Sequence, residues 1–245
     1  MNNSIGTRST DPIGAETLDY IGEAEAFNKW MYSVISPSLK GKVLEIGSGT
    51  GNMSEFLLND KNDVTLSDLR SEYCEYLLKR FKENQSLVSV KQINLEEPEF
   101  ENKYPALQNC FDSVFAMNVI EHIENDSLAV QNCRKLLKEG GNLLILVPSY
   151  QWLYCRFDKE LGHFRRYNRK SLLTLLKSNG FAVKELFNFN AIGVFGWFLF
   201  GKLLNQEQIK QKQMRLYNSL VPLFILTDKL LFRKFGLSLI IIARK

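Results

Sequence analysis

Histidine is scarce in this chain. Only His122 and His163 occur among 245 residues, so few side chains can exchange a proton near neutral pH. Cysteine is nearly as thin. Cys74, Cys110, Cys133 and Cys155 lie far apart and form no CxxC pair, which argues against a disulfide framework and against a cysteine zinc site. No apolar run approaches the ~20 residues that a membrane-spanning helix needs. The first 14 residues, MNNSIGTRSTDPIG, lack the apolar centre of a signal peptide and read as a flexible tail. Free thiols without a leader predict a cytoplasmic protein. No internal repeat or low-complexity tract interrupts the chain, and a net charge of +4 is too mild to imply nucleic acid.

What is present is ordinary in bulk and specific in pattern. An apolar content of 45% with 24% charged residues fits a globular protein of this length, and residues 15–245 read as one domain. Apolar residues at three- and four-residue steps predict a helix from Ala15 to Ile35. VLEIG (43–47) is a short buried strand, followed by a helix over 53–60. Strand 63–68, helix 71–81, and strands 86–93 and 111–117 come next. A helix over 126–138 is expected to stop at Gly140–Gly141. NLLILVP (142–148) is apolar throughout, as in a strand buried on both faces. A helix over 169–180, strand 181–189 and a last strand over 237–245 complete the series. The alternation predicts an α/β fold with a mostly parallel seven-stranded sheet and helices on both faces.

The stretch KVLEIGSGTGN (42–52) places Gly47, Gly49 and Gly51 directly after the first strand. Glycine costs conformational entropy and is kept where φ is positive or where a ligand must come close. Sheets of this kind bind ligands at the carboxyl ends of their strands. A dinucleotide-binding loop would read G-x-G-x-x-G, but position 52 is Asn52. Asp68 ends the second strand, where a carboxylate can accept both hydroxyls of a ribose.

VLEIGSGTG resembles motif I of class I S-adenosylmethionine-dependent methyltransferases. The likeness runs from about Glu16 to Lys245. NVIEHI (118–123), GGNLLILVPS (140–149) and LGHFRRYNRKSLLTLLKSNGF (161–181) are similar to a bacterial small-molecule subgroup. The resemblance implies a Rossmann-like fold and S-adenosyl-L-methionine as cofactor. Gly47, Ser48, Gly49 and Gly51 would form the loop against its methionine part, with Glu45 orienting that loop or the amino group. Asp68 would hold the ribose, with Leu69 beside the adenine and Leu95 a further cofactor-binding position. Asn94 stands where the family usually has Asp, and its carbonyl can accept the same hydrogen bond. Asn118 would contact the cofactor.

On the acceptor side the inventory is short. His163 follows the fifth strand, where this fold places its acceptor-binding loop, and is the candidate general base. The same residue also fits a histidine bonded to backbone beside a helix. Glu121 and His122 are further candidates that line the pocket or support it. In ubiquinone-type O-methyltransferases and some RNA-end methyltransferases E-x-x-E-H binds a divalent metal. Asn118 occupies the first of those positions here, so no metal is expected. Arg165, Arg166 and Arg169 with Tyr154 and Tyr167 suit an anionic acceptor or salt bridges to Asp158 and Glu160.

Before the last strand, 191–235 is an apolar and basic helical insertion. AIGVFGWFLFGKLL (191–204) holds one charge and LVPLFILTDKLLF (220–232) two. Residues 201–235 carry seven Lys or Arg against two acids, +5, while the rest of the chain has 24 against 25. Such a segment is a cap, a dimer interface or a peripheral membrane contact, with Trp197 and Phe198 entering the headgroup boundary. The resulting expectation is O-methylation of a small-molecule or lipid-linked acceptor, the latter implied by the subgroup's association with glycan assembly. RNA or protein methylation and a non-catalytic S-adenosylmethionine-binding partner are the rivals. No nucleic acid is expected: the +5 segment could supply a basic surface, but the lack of an N/D-P-P-Y/F motif after the fourth strand argues against base N-methylation. The oligomeric state has no signature in the sequence.

Overall fold

A computed structural model describes residues 22–61, 63–206 and 210–245. The tail over 1–14 and the start of the first expected helix lie outside the described residues. Helix α1 runs over Glu25–Ile35 and buries Trp30, Met31 and Ile35. Strand β1 (Val43–Ile46) leads into α2 (Asn52–Asp60), and β2 (Val64–Asp68) into α3 (Ser71–Phe81). After β3 (Leu87–Gln92) come the single turn α4 (Phe100–Lys103) and β4 (Phe111–Met117). Helix α5 (Asp126–Leu136), capped by the Asn125 side chain on Leu128 N–H, runs straight into β5 (Leu137–Pro148). Short α6 (Arg156–Glu160), α7 (Arg169–Ser178) and β6 (Ala182–Phe189) follow.

Between β6 and the last strand lie α8 (Ala191–Gly196), a wide π-helical turn over Trp197–Leu203, α9 (Gln211–Ser219) and α10 (Val221–Leu230). Strand β7 (Ser238–Arg244) closes the chain. The strands form one sheet in the order β3-β2-β1-β4-β5-β7-β6. The first five are parallel, and β7 runs antiparallel to both of its neighbours.

Two apolar layers sandwich this sheet. Leu44, Val114 and Ile145 face α5 and α7, while their neighbours Val43, Phe115 and Leu144 face α1 and α2. Alternate residues of one strand thus serve opposite layers, and each fully buried Leu, Ile or Phe contributes about 1.5–3 kcal/mol. One sequence expectation changes here. Gly140–Gly141 does not end α5. The pair sits inside β5, with Gly140 at φ +77°, where the register against β4 shifts between Phe111–Leu137 and Ser113–Asn142. The glycines serve a bulge, which needs the same backbone freedom as a helix stop.

The helical segment after β6 is pinned to the sheet at its base. Asp228, buried in α10, accepts the N–H groups of Asn190 and Ala191 at 2.7 Å each. Its far side rests on α1, where Asn218 accepts Phe27 N–H at 3.0 Å and Tyr217 packs edge-on to Phe27.

Candidate active site

A cavity of about 720 Å³ opens at the carboxyl ends of β1, β2, β4 and β5 and continues beneath the helical segment. Its floor at one end is the glycine loop. Gly47, Gly49 and Gly51 all have positive φ, at +70°, +53° and +82°. A Cβ on Gly47 would stand 2.5 Å from Val119 Cγ2, and one on Gly51 would stand 2.6 Å from the Phe81 ring. The loop is held by Ser48 N–H on Ser67 O at 2.8 Å and Gly51 N–H on Ser48 O at 2.8 Å.

Two acids face this loop. Asp68 Oδ2 accepts Gly49 N–H at 3.0 Å and Oδ1 accepts Arg70 N–H at 3.0 Å. Burial raises its pKa against the pull of those two amides. Glu45, deep in β1, accepts Ser54 Oγ–H at 2.5 Å. Burial pushes its carboxyl up to about 7, more than the Ser54 and Ser48 hydroxyls bring it down. Leu69, Asn94, Leu95 and Asn118 also line the cavity. The Asn94 oxygen already accepts Glu96 N–H at 2.9 Å, so one lone pair is left for any ligand. Asn118 takes φ +51°, which turns the chain out of β4 at the cavity wall.

The other end is built from side chains of separate segments. A single 3-10 turn over Ile120–His122 places His122 on the cavity wall and buries Glu121 behind it. His163 stands one layer further back, its ring 4.6 Å from that of His122 and nearly perpendicular to it. His163 Nδ1 lies 2.9 Å from Asp158 Oδ1. Asp158 is fully buried and also accepts Arg166 Nε at 2.7 Å and Cys155 N–H at 3.0 Å. Burial would raise its pKa, but His163 and Arg166 together hold it below the usual range. Arg166 lies over the Trp197 ring, 4.5 Å from its centre, and donates to Ser149 O. Arg165 pairs with Asp126 at 2.9 Å, and Arg169 donates to Leu186 O and Asn188 Oδ1. Of the arginine cluster, only Arg166 reaches the cavity wall.

Comparison with known proteins decides the class. Residues 24–186 match the methyltransferase-domain family. The chain belongs to that family. It is a class I methyltransferase that uses S-adenosyl-L-methionine, as the glycine motif implied. A hybrid PKS-NRPS synthetase of Trichoderma harzianum is 34% identical over 109 residues, 43% of this chain and 3% of that protein. The methyltransferase chain thus spans a small fraction of the curated relatives it matches. A SAM-dependent methyltransferase from Archaeoglobus fulgidus superposes with TM-score 0.59 at 18% identity, covering 90% of this chain and 94% of that one. The carbon methyltransferase CurJ gives 0.55 at 15%, covering 90% and 53%. At such identities the two structures speak for the fold.

The methyltransferase's donor end suits its cofactor on geometric grounds. The glycine loop leaves no room for side chains on its inner turns, and Asp68 keeps lone pairs free beside it. The acceptor end departs from the expectation drawn from the sequence, since His122 and not His163 meets the cavity. Trp197 also points inward, with its Nε1 buried, because Arg166 stacks on it. It lines the cavity, where the sequence suggests an outward-facing anchor. The roof residues Phe200, Met214 and Tyr217 and the α1 residues Phe27 and Met31 also line the cavity. In the sequence they read only as apolar positions of helices.

Proposed function

We propose that this methyltransferase acts as a single domain on an oxygen of a lipid-linked acceptor at a membrane surface. The observation that carries this reading is the outer face of the helical roof. Twelve of the seventeen exposed large hydrophobic residues among those described fall between Phe195 and Phe232, among them Leu203, Leu216, Leu230 and Phe232. Lys202, Lys210, Lys212, Lys229 and Lys234 lie within the same segment, in the region of net charge +5. Apolar side chains rimmed by cations suit an anionic bilayer surface. No described helix is long and apolar enough to cross a membrane, so the contact would be interfacial.

S-adenosylmethionine supplies a methyl carbon already activated by its sulfonium. Alignment, exclusion of water and disposal of one proton are left to the protein. The roof and α1 exclude water from the apolar part of the cavity. Phe157, Trp197 and Phe200 would guide an acceptor tail from the bilayer toward His122. With S-adenosylmethionine bound, the acceptor oxygen would take the methyl group as the carbon–sulfur bond breaks, and the hydroxyl proton would leave at the end of the cavity where His122 stands. The polyketide-synthase relatives favour a second reading, methylation of an acidic carbon in the same position.

Labelled S-adenosylmethionine, incubated with the protein and bilayers of total bacterial lipid, tests the proposal. Label is expected in the lipid phase as an O-methyl group by NMR, with the protein sedimenting on anionic vesicles and released by salt. Carbon-bound label would establish the second reading. Protein that binds cofactor yet ignores every vesicle would overturn the membrane reading.

A further inference from the structure

Glu121 is fully buried, and neither carboxylate oxygen has a hydrogen-bond partner. A buried carboxylate left so is unfavourable, and it either takes up a proton or is balanced by a cation at its open side. Its neighbours in space are the two histidines. One ligand atom each from Glu121, His122 and His163 lie within 4.8 Å of one another.

The state of His163 is set from behind. Asp158 Oδ1, held charged by Arg166, sits 2.9 Å from His163 Nδ1. A neutral ring in this position carries its proton on Nδ1 and offers Nε2 as the ligand atom. A carboxylate behind a histidine is the outer support that metal-binding imidazoles generally carry, fixing tautomer and orientation together. The positive charge nearby does not stand against an ion, because Arg166 spends it on Asp158, Ser149 O and the Trp197 ring. The two segments that carry the three groups are also stitched by backbone. Phe164 N–H donates to Glu121 O at 2.8 Å, and His163 N–H to Asp158 O at 2.8 Å.

We propose that Glu121, His122 and His163 bind one divalent first-row metal ion whose open positions face the cavity. Two imidazoles and one carboxylate suit Mn²⁺, Fe²⁺, Co²⁺ or Zn²⁺ better than the all-oxygen preference of Mg²⁺ or Ca²⁺. The sequence argued against a metal because Asn118 fills the place of an acid. The fold supplies the missing group from a loop after β5 that no spacing rule connects to residues 121 and 122. The site goes beyond the proposed choice of acceptor and can fail separately from it, since the ion is titrated with no acceptor present.

The test uses the full chain stripped with EDTA. Mn²⁺ binding is followed by loss of the free-ion EPR signal, and Co²⁺ by its visible absorption. One equivalent per chain is expected, with a rise in melting temperature. His122→Asn and His163→Asn should each weaken Mn²⁺ binding at least tenfold, and Asp158→Asn by about 10–100-fold through the orientation of His163. Binding of S-adenosylhomocysteine, measured on each variant, reports that it has folded. His122→Asn changes a side chain on the cavity wall and tests the site even where the buried variants fail to fold. Failure to bind Mn²⁺, Co²⁺ or Zn²⁺ while S-adenosylhomocysteine still binds would overturn the proposal. So would Mn²⁺ binding that survives unchanged in folded His122→Asn and His163→Asn.

Discussion

The two ends of the cavity are made in different ways. The glycine-loop end is one continuous stretch shaped by backbone hydrogen bonds and positive φ angles, with Asp68 and Glu45 alongside. The acceptor end gathers side chains from the turn after β4, the loop after β5 and the roof. Its ionisable side chains Glu121, Asp158 and Arg166 are buried. A site made of backbone leaves a mark in the order of residues. A site made of remote side chains leaves only residue types. Mutation should separate the two ends by what each loses, catalysis and stability at one and affinity at the other.

The largest effect is expected at His122. His122→Ala should lower methyl transfer about 10²–10⁴-fold with cofactor affinity unchanged, read by steady-state turnover beside calorimetry of S-adenosylhomocysteine. Equal losses in both would erase the division between the ends. Next comes Arg166→Met, which strips Asp158 of its buried counter-ion. Removing one partner of a buried pair costs about 3–5 kcal/mol, here read as a melting temperature lower by roughly 10 °C. The contrast is the pair Arg80–Glu55 beside the glycine loop, where Glu55 is more than half exposed. Glu55→Gln should cost less than about 1 kcal/mol, and a loss like that of Arg166→Met would break the comparison.

Asp68→Ala should weaken cofactor binding by about 1–3 kcal/mol, by removing an acceptor and freeing the Gly49 and Arg70 amides. Turnover at saturating cofactor should fall much less. The smallest effect is a proton count at Glu45. Its carboxyl is raised from 4.5 to about 7 by burial, so at pH 6 the free protein holds it mostly protonated. An ammonium group bound beside it would favour the carboxylate. Cofactor binding should then release close to one proton at pH 6 and almost none at pH 8, read by calorimetry in buffers of different ionisation enthalpy. The same shift has a sign for stability. The folded pKa lies above the unfolded one, so its contribution is full below about 4.5 and is lost as pH rises through about 7.

Much of this was legible beforehand. All seven strands were expected, the central ones as short apolar runs between turn residues and the outer β3 and β6 as alternating apolar and polar positions. The cavity-lining positions from Glu45 to Asp68 stand out because glycine spacing and strand ends are local. Gly140–Gly141 misled because a bulge and a helix stop demand the same φ. His163 was preferred to His122 because a loop after β5 is where acceptors bind in this fold. Which ring meets the cavity is decided by one 3-10 turn and by the grip of Asp158 on His163, and neither has a period in the sequence. Trp197 read as a surface anchor because its neighbours are apolar. Its inward turn depends on Arg166, which precedes it by three elements of structure.

The roof leaves the sheet after Phe189 and returns at Ser238, and these two residues are partners in the β6–β7 register. Its ends are therefore one strand spacing apart, with Asp228 clasping the base. Closing a loop grows only logarithmically more costly with length, so the sheet constrains very little of what lies between. A longer, shorter or wholly different segment can be spliced at this junction while the strands below keep their register. The glycine loop and the hairpin loop over it can thus change at separate rates, because no strand register joins them.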